Sequence, residues 1–189
     1  MESGKYVLVT LHRPSNPVLG IPSVLGPEDP GQDKCVDEPE TLREILLALN
    51  DIAQEVPVIF PVHPRTRQRI DGLGFSHWLL GFRLLDPLGY LDFLALMKNW
   101  ALVLTDSGGI QEETTYLGVP CLTARANTER PVTITRGTNQ LVASTRLAIV
   151  QAARNVLNHQ PRHGTLDRPE LWDGHAAERI VAVLRKWVQ

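Results

Sequence analysis

The chain has 189 residues, of which 43% are hydrophobic and 21% are charged, and its net charge is −2. This balance is typical of a folded globular domain, and the lack of a basic excess argues against a nucleic-acid partner. No apolar stretch reaches the roughly 20 residues of a membrane-spanning helix, which argues against membrane insertion. The two cysteines, Cys35 and Cys121, form no zinc-site or disulfide pattern, so we expect a reducing, cytoplasmic location.

Short apolar runs alternate with amphipathic stretches along the whole chain. The predicted strands cover residues 6–12, 56–63, 82–85, 101–105, 120–123 and 139–142. The predicted helices cover residues 39–54, 90–99, 109–117, 145–158 and 175–188, with a short polar helix after residue 63. Because the strands are apolar almost throughout, they are expected to be buried on both faces. The pattern therefore predicts an α/β fold with a doubly wound parallel sheet, in a single domain over residues 1–189.

One segment interrupts this alternation. Residues 17–36 contain four prolines and three glycines and have no hydrophobic period, which predicts a long loop insertion. A lid over a site and an insertion without chemistry are both open interpretations. Elsewhere, polar residues stand where predicted strands end, at His12, His63, Asp86 and residues 106–109. Ligands of doubly wound sheets bind beyond the carboxyl ends of the strands, so these positions are the first candidates for a site.

The stretch TDSGGIQEET, residues 105–114, has the features of a phosphate site. The first N–H groups of a helix have no partner within the helix and carry partial positive charge, so they bind anions. Gly108 and Gly109 have no Cβ and let a phosphate oxygen approach, while the Ser107 hydroxyl is placed to serve either the helix or the ligand. Glu113 lies one turn further on, where a carboxylate accepts hydrogen bonds from sugar hydroxyls. These residues predict a nucleoside diphosphate site; the alternative is a tight turn that requires glycine.

Other candidate residues have two interpretations each. His12 and Arg13 directly follow a strand, and so does His63, but a histidine at a strand end is often structural. Arg130 precedes a proline that can open a helix, and it is suited either to clamp a diphosphate or to pair with a neighbouring carboxylate. Phe93 has the spacing of a core residue as well as the ring needed to stack on a base.

Four motifs resemble the UDP-N-acetylglucosamine 2-epimerase family: TLHRPSN, PVHPRTR, the long block over residues 84–142 and DGHAAERIVAVL. The resemblance implies a Rossmann-like domain and a GT-B-type enzyme in which two such domains face each other across a cleft. This chain resembles only the C-terminal, UDP-binding half. The implied partners are a UDP-sugar and an N-terminal domain that is missing here and supplied in cis or in trans. No metal and no redox cofactor is implied.

The resemblance also implies roles for individual residues. It places the diphosphate at Ser107, Gly108 and Gly109, with Arg130 at a phosphate and Arg13 among the UDP contacts. It places the ribose at Glu113 and the uracil at the backbone of Leu88 and the ring of Phe93. The implied active-site histidine is His12, with His63 as a further candidate.

The reaction of the family inverts C2 of the sugar by eliminating UDP and adding it back. The family's acid/base carboxylates belong to the N-terminal domain, which nothing in this chain resembles. A half-enzyme, a non-catalytic UDP-sugar-binding module and the donor domain of a GT-B glycosyltransferase are therefore alternatives. The last predicted helix has an apolar stripe formed by Ile180, Val183, Leu184 and Trp187. We expect this stripe to face the missing domain or to form a homodimer.

Overall fold

The computed structural model of the chain describes residues 6–11, 38–159 and 168–187. His12, Arg13 and the predicted insertion at residues 17–36 lie outside the described residues. The strands are β1 Val7–Thr10, β2 Val58–Pro61, β3 Phe82–Leu85, β4 Leu102–Thr105, β5 Cys121–Ala124 and β6 Asn139–Val142. The helices are α1 Pro39–Ala53, α2 Pro64–Gly72, α3 Tyr90–Met97, α4 Gly108–Leu117, α5 Val132–Thr135, α6 Arg146–Asn158 and α7 Ala176–Trp187, with a 3-10 helix at Ser76–Gly81.

The predicted elements are confirmed in type and order, with small differences at their ends. The strand predicted over residues 56–63 is shorter, because Val58–Pro61 alone pairs with its neighbours. The helix predicted from Gly109 begins one residue earlier. The 3-10 helix at Ser76–Gly81 was not expected from the sequence, and the four-residue helix α5 begins after Pro131, the proline that can open a helix.

The six strands form one parallel sheet in the order β3-β2-β1-β4-β5-β6. From β1 the chain moves outward to β2 and β3, and it then returns to place β4 on the other side of β1. The strand order therefore reverses between β1 and β4. In a doubly wound sheet this switch point opens a crevice at the carboxyl ends of the two strands, which is where ligands bind.

Alternate residues of the strands pack into two separate cores. One face of the sheet buries Val7, Phe60, Leu102 and Leu104 beneath α1 and α6. The opposite face buries Leu8, Ile59 and Val103 against Met97 of α3 and the neighbouring Trp100. The domain thus has three layers, with the sheet between two layers of helices. A sheet packed on both faces is a rigid support for a site at its edge. In the described part of the chain, no helix combines the length and the apolar character needed to cross a bilayer.

Candidate functional site

A cleft of about 370 Å³ opens at the carboxyl edge of the sheet, beside the switch point between β1 and β4. Six residues singled out from the sequence line it: His63, Leu88, Phe93, Asp106, Ser107 and Gly108. They come from the ends of β2, β3 and β4 and from helix α3. The fold therefore gathers at one edge residues that are up to 45 positions apart in sequence, and the position of this cleft is the one that a doubly wound sheet offers to a ligand.

The start of helix α4 forms the end wall of this cleft. Strand β4 is fully buried and delivers the chain directly to Ser107, which stands at the N-cap position in an extended conformation. Its backbone N–H donates to Thr105 Oγ1 at 3.0 Å, while its hydroxyl makes no capping bond to α4. The first backbone N–H groups of α4 therefore receive no cap from the Ser107 side chain. These N–H groups and the serine hydroxyl can together bind an anion.

Gly108 and Gly109 are not explained by the backbone conformation. The glycines of the described residues that have positive φ are Gly74, Gly118 and Gly174, so neither glycine of the pair needs the left-handed region. A Cβ built on either one would have no heavy atom of the described residues within 4 Å. The turn interpretation of this pair is therefore wrong. Among the described residues, the two glycines leave space above the helix N-terminus, where an anion can approach the backbone.

Glu113 lines a second cavity, of about 480 Å³, in the groove between α3 and α4. Tyr90, Tyr116 and Trp172 supply aromatic walls to this cavity. Glu113 Oε2 is buried and has no hydrogen-bond partner among the described residues. Burial raises the pKa of this carboxyl, the nearby Glu112 raises it further, and a hydrogen bond from Tyr90 opposes them. A desolvated carboxylate with an unused acceptor atom is suited to bind a hydroxyl-bearing ligand.

Arg130 lies after strand β5, which neighbours β4 in the sheet. Its guanidinium pairs with carboxylates of the protein. Its Nε lies 3.0 Å from Glu112 Oε1, and its Nη1 lies 4.0 Å from Glu129 Oε2. The carboxylate pairing left open by the sequence is therefore what the structure shows. The Arg130 and Glu112 side chains are 41% and 43% exposed, so the pair is weak enough for a doubly charged phosphate to compete with it.

His63 has a structural contact as well as a place in the cleft. Its Nδ1 accepts a hydrogen bond from the backbone N–H of Arg65 at 3.3 Å, so it caps helix α2. In the next turn, the Thr66 hydroxyl donates to the carbonyl of Leu11 at 3.0 Å and ties α2 to the end of β1. His12 and Arg13 come next in the chain but lie outside the described residues, so their roles stay predictions.

Trp172 was missed by the sequence reasoning, although it lines the same cavity as Glu113. It follows Leu171, which has a φ of 69°, a value that residues other than glycine rarely adopt. The turn is held by Arg179, which donates to the Leu171 carbonyl at 2.8 Å and to both carboxylate oxygens of Asp173. A lone tryptophan beside an Asp-Gly turn was the only signal in the sequence, and it belongs to no periodic pattern.

The sequence profile of the family described as UDP-N-acetylglucosamine 2-epimerase matches residues 33–185. The chain is 35% identical to the UDP-N-acetylglucosamine 2-epimerase of Methanocaldococcus jannaschii, over 95% of this chain and 44% of that protein. It is 38% identical to the UDP-2,3-diacetamido-2,3-dideoxy-D-glucuronate 2-epimerase of Pseudomonas aeruginosa, over 96% of this chain and 44% of that protein. The M. jannaschii UDP-GlcNAc 2-epimerase, solved in complex with UDP-GlcNAc and UDP, superimposes with a TM-score of 0.74 at 33% identity, covering 98% of this chain and 46% of that one.

These comparisons agree with the fold. They confirm the predicted Rossmann-like α/β domain, and the chain corresponds to the C-terminal domain of a GT-B-type enzyme. The chain also spans less than half the length of the relatives that it matches, 44% for each of the two proteins named above.

The raised pKa of Glu113 leads to a prediction about stability. Because the folded state disfavours the ionised carboxyl, the parent should lose stability as pH rises from the ordinary glutamate pKa of 4.5 through the raised pKa of the folded state. Glu113→Gln lacks this loss and should melt about 2 °C higher than the parent at pH 7, with little difference at pH 4. Thermal unfolding followed by circular dichroism measures both, with exposed Glu170→Gln as the control. A variant that melts lower than the parent at pH 7 would contradict this account of Glu113.

Proposed function

Because the chain belongs to the UDP-N-acetylglucosamine 2-epimerase family, we propose that it is the nucleotide-binding half of an enzyme that interconverts UDP-GlcNAc and UDP-ManNAc. The observation that carries the proposal is the open helix N-terminus at Ser107, Gly108 and Gly109, which faces a cleft at the switch point of the sheet. Backbone N–H groups and the helix dipole favour an anion there, and a diphosphate provides two negatively charged groups in sequence.

The proposed diphosphate contacts lie at the ends of two neighbouring strands, β4 and β5. The N–H groups at Gly108 and Gly109 and the hydroxyl of Ser107 donate to one phosphate. Arg130 reaches the diphosphate from the loop after β5, and Arg13 adds a further contact. In the free chain Arg130 is held by Glu112, so ligand binding exchanges one carboxylate partner for a diphosphate with two negative charges.

The nucleoside contacts are proposed for two places, the cleft at the sheet edge and the groove between α3 and α4. Phe93 lines the cleft beside Leu88, where its ring can stack on uracil while the backbone near Leu88 reads the base edge. Glu113 accepts hydrogen bonds from ribose hydroxyls, which satisfies the buried oxygen that lacks a partner among the described residues. A diphosphate at the helix start and a ribose one turn along match the spacing between Gly109 and Glu113.

The proposed chemistry needs both halves of the cleft. The base that removes the weakly acidic C2 proton belongs to the missing half, and loss of that proton is coupled to departure of UDP. Negative charge develops on the diphosphate as its bond to C1 breaks. The dipole of α4 and the guanidinium of Arg130 stabilise that charge, and His12 is the proposed active-site histidine of this half. UDP held in place then adds back after the proton returns to the other face of C2.

A second candidate is a UDP-sugar-binding module without turnover, since every contact proposed above from a described residue is made to the nucleotide. The chain spans 44% of the M. jannaschii relative. The nucleotide site proposed here does not depend on that second half. Binding without catalysis by the isolated chain is therefore compatible with the site, whereas epimerisation needs the partner.

Titration of UDP into the chain tests the proposed site. Gly109→Asp puts a carboxylate into open space at the helix N-terminus and should lower UDP affinity more than about 100-fold, because like charges repel strongly at close range. Gly72→Asp makes the same change at the end of α2, where a Cβ also meets open space, and it should bind UDP as the parent does. Isothermal calorimetry gives the affinities. Equal binding by Gly109→Asp and the parent would exclude the helix N-terminus as the phosphate site.

Helix α7 is the proposed contact with the missing half, supplied in cis or in trans. Its apolar stripe is exposed, with Ile180 at 59%, Leu184 at 57% and Trp187 at 85%. Such a stripe is typical of a helix that packs on another domain, and a homodimer of this chain would cover the same surface.

Co-purification with the separately produced N-terminal half of the M. jannaschii relative tests this contact. Leu184→Ser should weaken association about tenfold by removing buried apolar area, while Arg185→Ser on the opposite face of α7 should not. Analytical ultracentrifugation separates a complex of two halves from a homodimer. Unchanged association of Leu184→Ser would show that α7 is not the contact.

A further inference from the structure

The backbone of Arg130 is held on both sides by threonine hydroxyls. The Arg130 N–H donates to Thr128 Oγ1 at 2.9 Å, and the Arg130 carbonyl accepts from Thr133 Oγ1 at 2.7 Å. These bonds are separate from the ion pair that the guanidinium makes with Glu112. The position and direction of the arginine are therefore set by its main chain before its side chain meets any ligand.

Both threonines are anchored to a pair of buried amides. Thr128 Oγ1 donates to Gln111 Oε1 at 2.6 Å. Asn139 Nδ2 donates to the same Gln111 oxygen and to Thr133 Oγ1, each at 3.2 Å. Gln111 is 0% exposed and Asn139 is 5% exposed, so water does not compete for these bonds. We call Gln111, Thr128, Thr133 and Asn139 the arginine clamp.

In each hydrogen bond of the arginine clamp, the donor and the acceptor can be assigned. Thr128 has a single hydroxyl proton, which it gives to Gln111, so it can only accept from the backbone N–H of the arginine. Thr133 gives its proton to the arginine carbonyl and accepts from Asn139. Asn139 uses both amide protons, and its Oδ1 accepts from Thr123 of β5 at 2.7 Å. Thr128, Thr133 and Asn139 thus have every hydroxyl and amide proton committed, which holds their geometry, while the Nε2 of Gln111 has no partner among the described residues.

The arginine clamp joins the arginine to the helix that begins the anion site. Gln111 belongs to the first turn of α4, three residues after Gly108, and Glu112 beside it holds the guanidinium. Thr128 lies before Arg130 in the loop that follows β5, and Thr133 lies after it in helix α5. The separation between the helix N-terminus and the guanidinium is therefore fixed by buried contacts between two strand ends.

We propose that Thr128, acting through the buried amides of Gln111 and Asn139, is a positioning residue that sets Arg130 at the phosphate end of the nucleotide site. This inference rests on the proposed function, because the group that Arg130 meets is the diphosphate of UDP. Thr128 itself touches no phosphate. Its hydroxyl aligns the arginine backbone with α4, so that the guanidinium and the helix N–H groups bind the same diphosphate.

Two substitutions at residue 128 separate the hydroxyl from the shape of the side chain. Thr128→Val keeps the shape and removes the hydroxyl, whereas Thr128→Ser keeps the hydroxyl. UDP and uridine affinities are measured by NMR titration for the parent and each variant, with and without Arg130→Ala. Thr128→Val should bind UDP about tenfold more weakly than the parent, the scale expected for a misplaced contact group, and should bind uridine equally well. Thr128→Ser should bind both ligands as the parent does.

The Arg130→Ala background distinguishes a positioning role of Thr128 from a general structural role. When Arg130 is alanine, Thr128→Val should cause no further loss of UDP affinity, because the residue that it positions is gone. Equal losses for UDP and uridine, or the full loss from Thr128→Val in the Arg130→Ala background, would overturn the proposal. Thermal unfolding of every variant shows whether the fold is kept.

A second readout of the arginine clamp needs no nucleotide. The Nε–H signal of Arg130 in the free chain reports the surroundings of its guanidinium. Thr128→Val should shift or broaden this signal, and Thr128→Ser should leave it in place. An unchanged signal in Thr128→Val would overturn the positioning role even if the parent binds UDP. A parent that binds no UDP, with the signal shifted in Thr128→Val, would instead reject the proposed function and retain the clamp as a control of the arginine's position.

Discussion

The N–H groups that begin helix α4 have no carbonyl partners within the helix, and the candidate site is arranged around that fact. Strand β4 is buried along its whole length and ends at the switch point, so its helix must start at the edge where a cleft opens. Ser107 does not cap the helix with its hydroxyl, and the two glycines that follow leave the space above it open. A helix start without a side-chain cap is less stable, but a bound ligand can supply the missing acceptors.

The polar groups near this helix are of two kinds, and burial distinguishes them. The Gln111 side-chain oxygen and the whole Asn139 amide bond to threonines and to each other, and they stiffen the contact between α4 and the loop after β5. Glu113 is desolvated yet keeps an oxygen without a partner among the described residues, and its pKa is raised as a result. The first kind gives the site its geometry. The second is the proposed ligand contact, and its desolvation costs stability, as is common at functional sites.

Much of this fold could be predicted because its strands are apolar on both faces and its helices have a clear apolar stripe. The helix start at Gly108 could also be predicted, since a strand, two glycines and a helix pattern are adjacent in sequence; its role as a phosphate site stays a prediction. The arginine clamp could not, because Gln111 meets Thr128 and Asn139 across 17 and 28 residues. A glutamine in an amphipathic helix suggests an exposed residue, and only the packing of α4 against β5 and β6 buries it. The carboxylate partner of Arg130 was likewise one of two open possibilities until the fold placed Glu112 beside it.

The most direct test of this account is an NMR titration of the ¹⁵N-labelled chain with UDP, followed at the backbone amides. If the start of α4 binds the diphosphate, the amide protons of Gly108 and Gly109 should move strongly downfield, as expected for N–H groups that donate to a phosphate. Amides in α1 and α6, on the other face of the sheet, should stay in place. Saturable shifts confined to residues away from the α4 N-terminus would contradict the account, because UDP would then bind without using the feature around which the site is built.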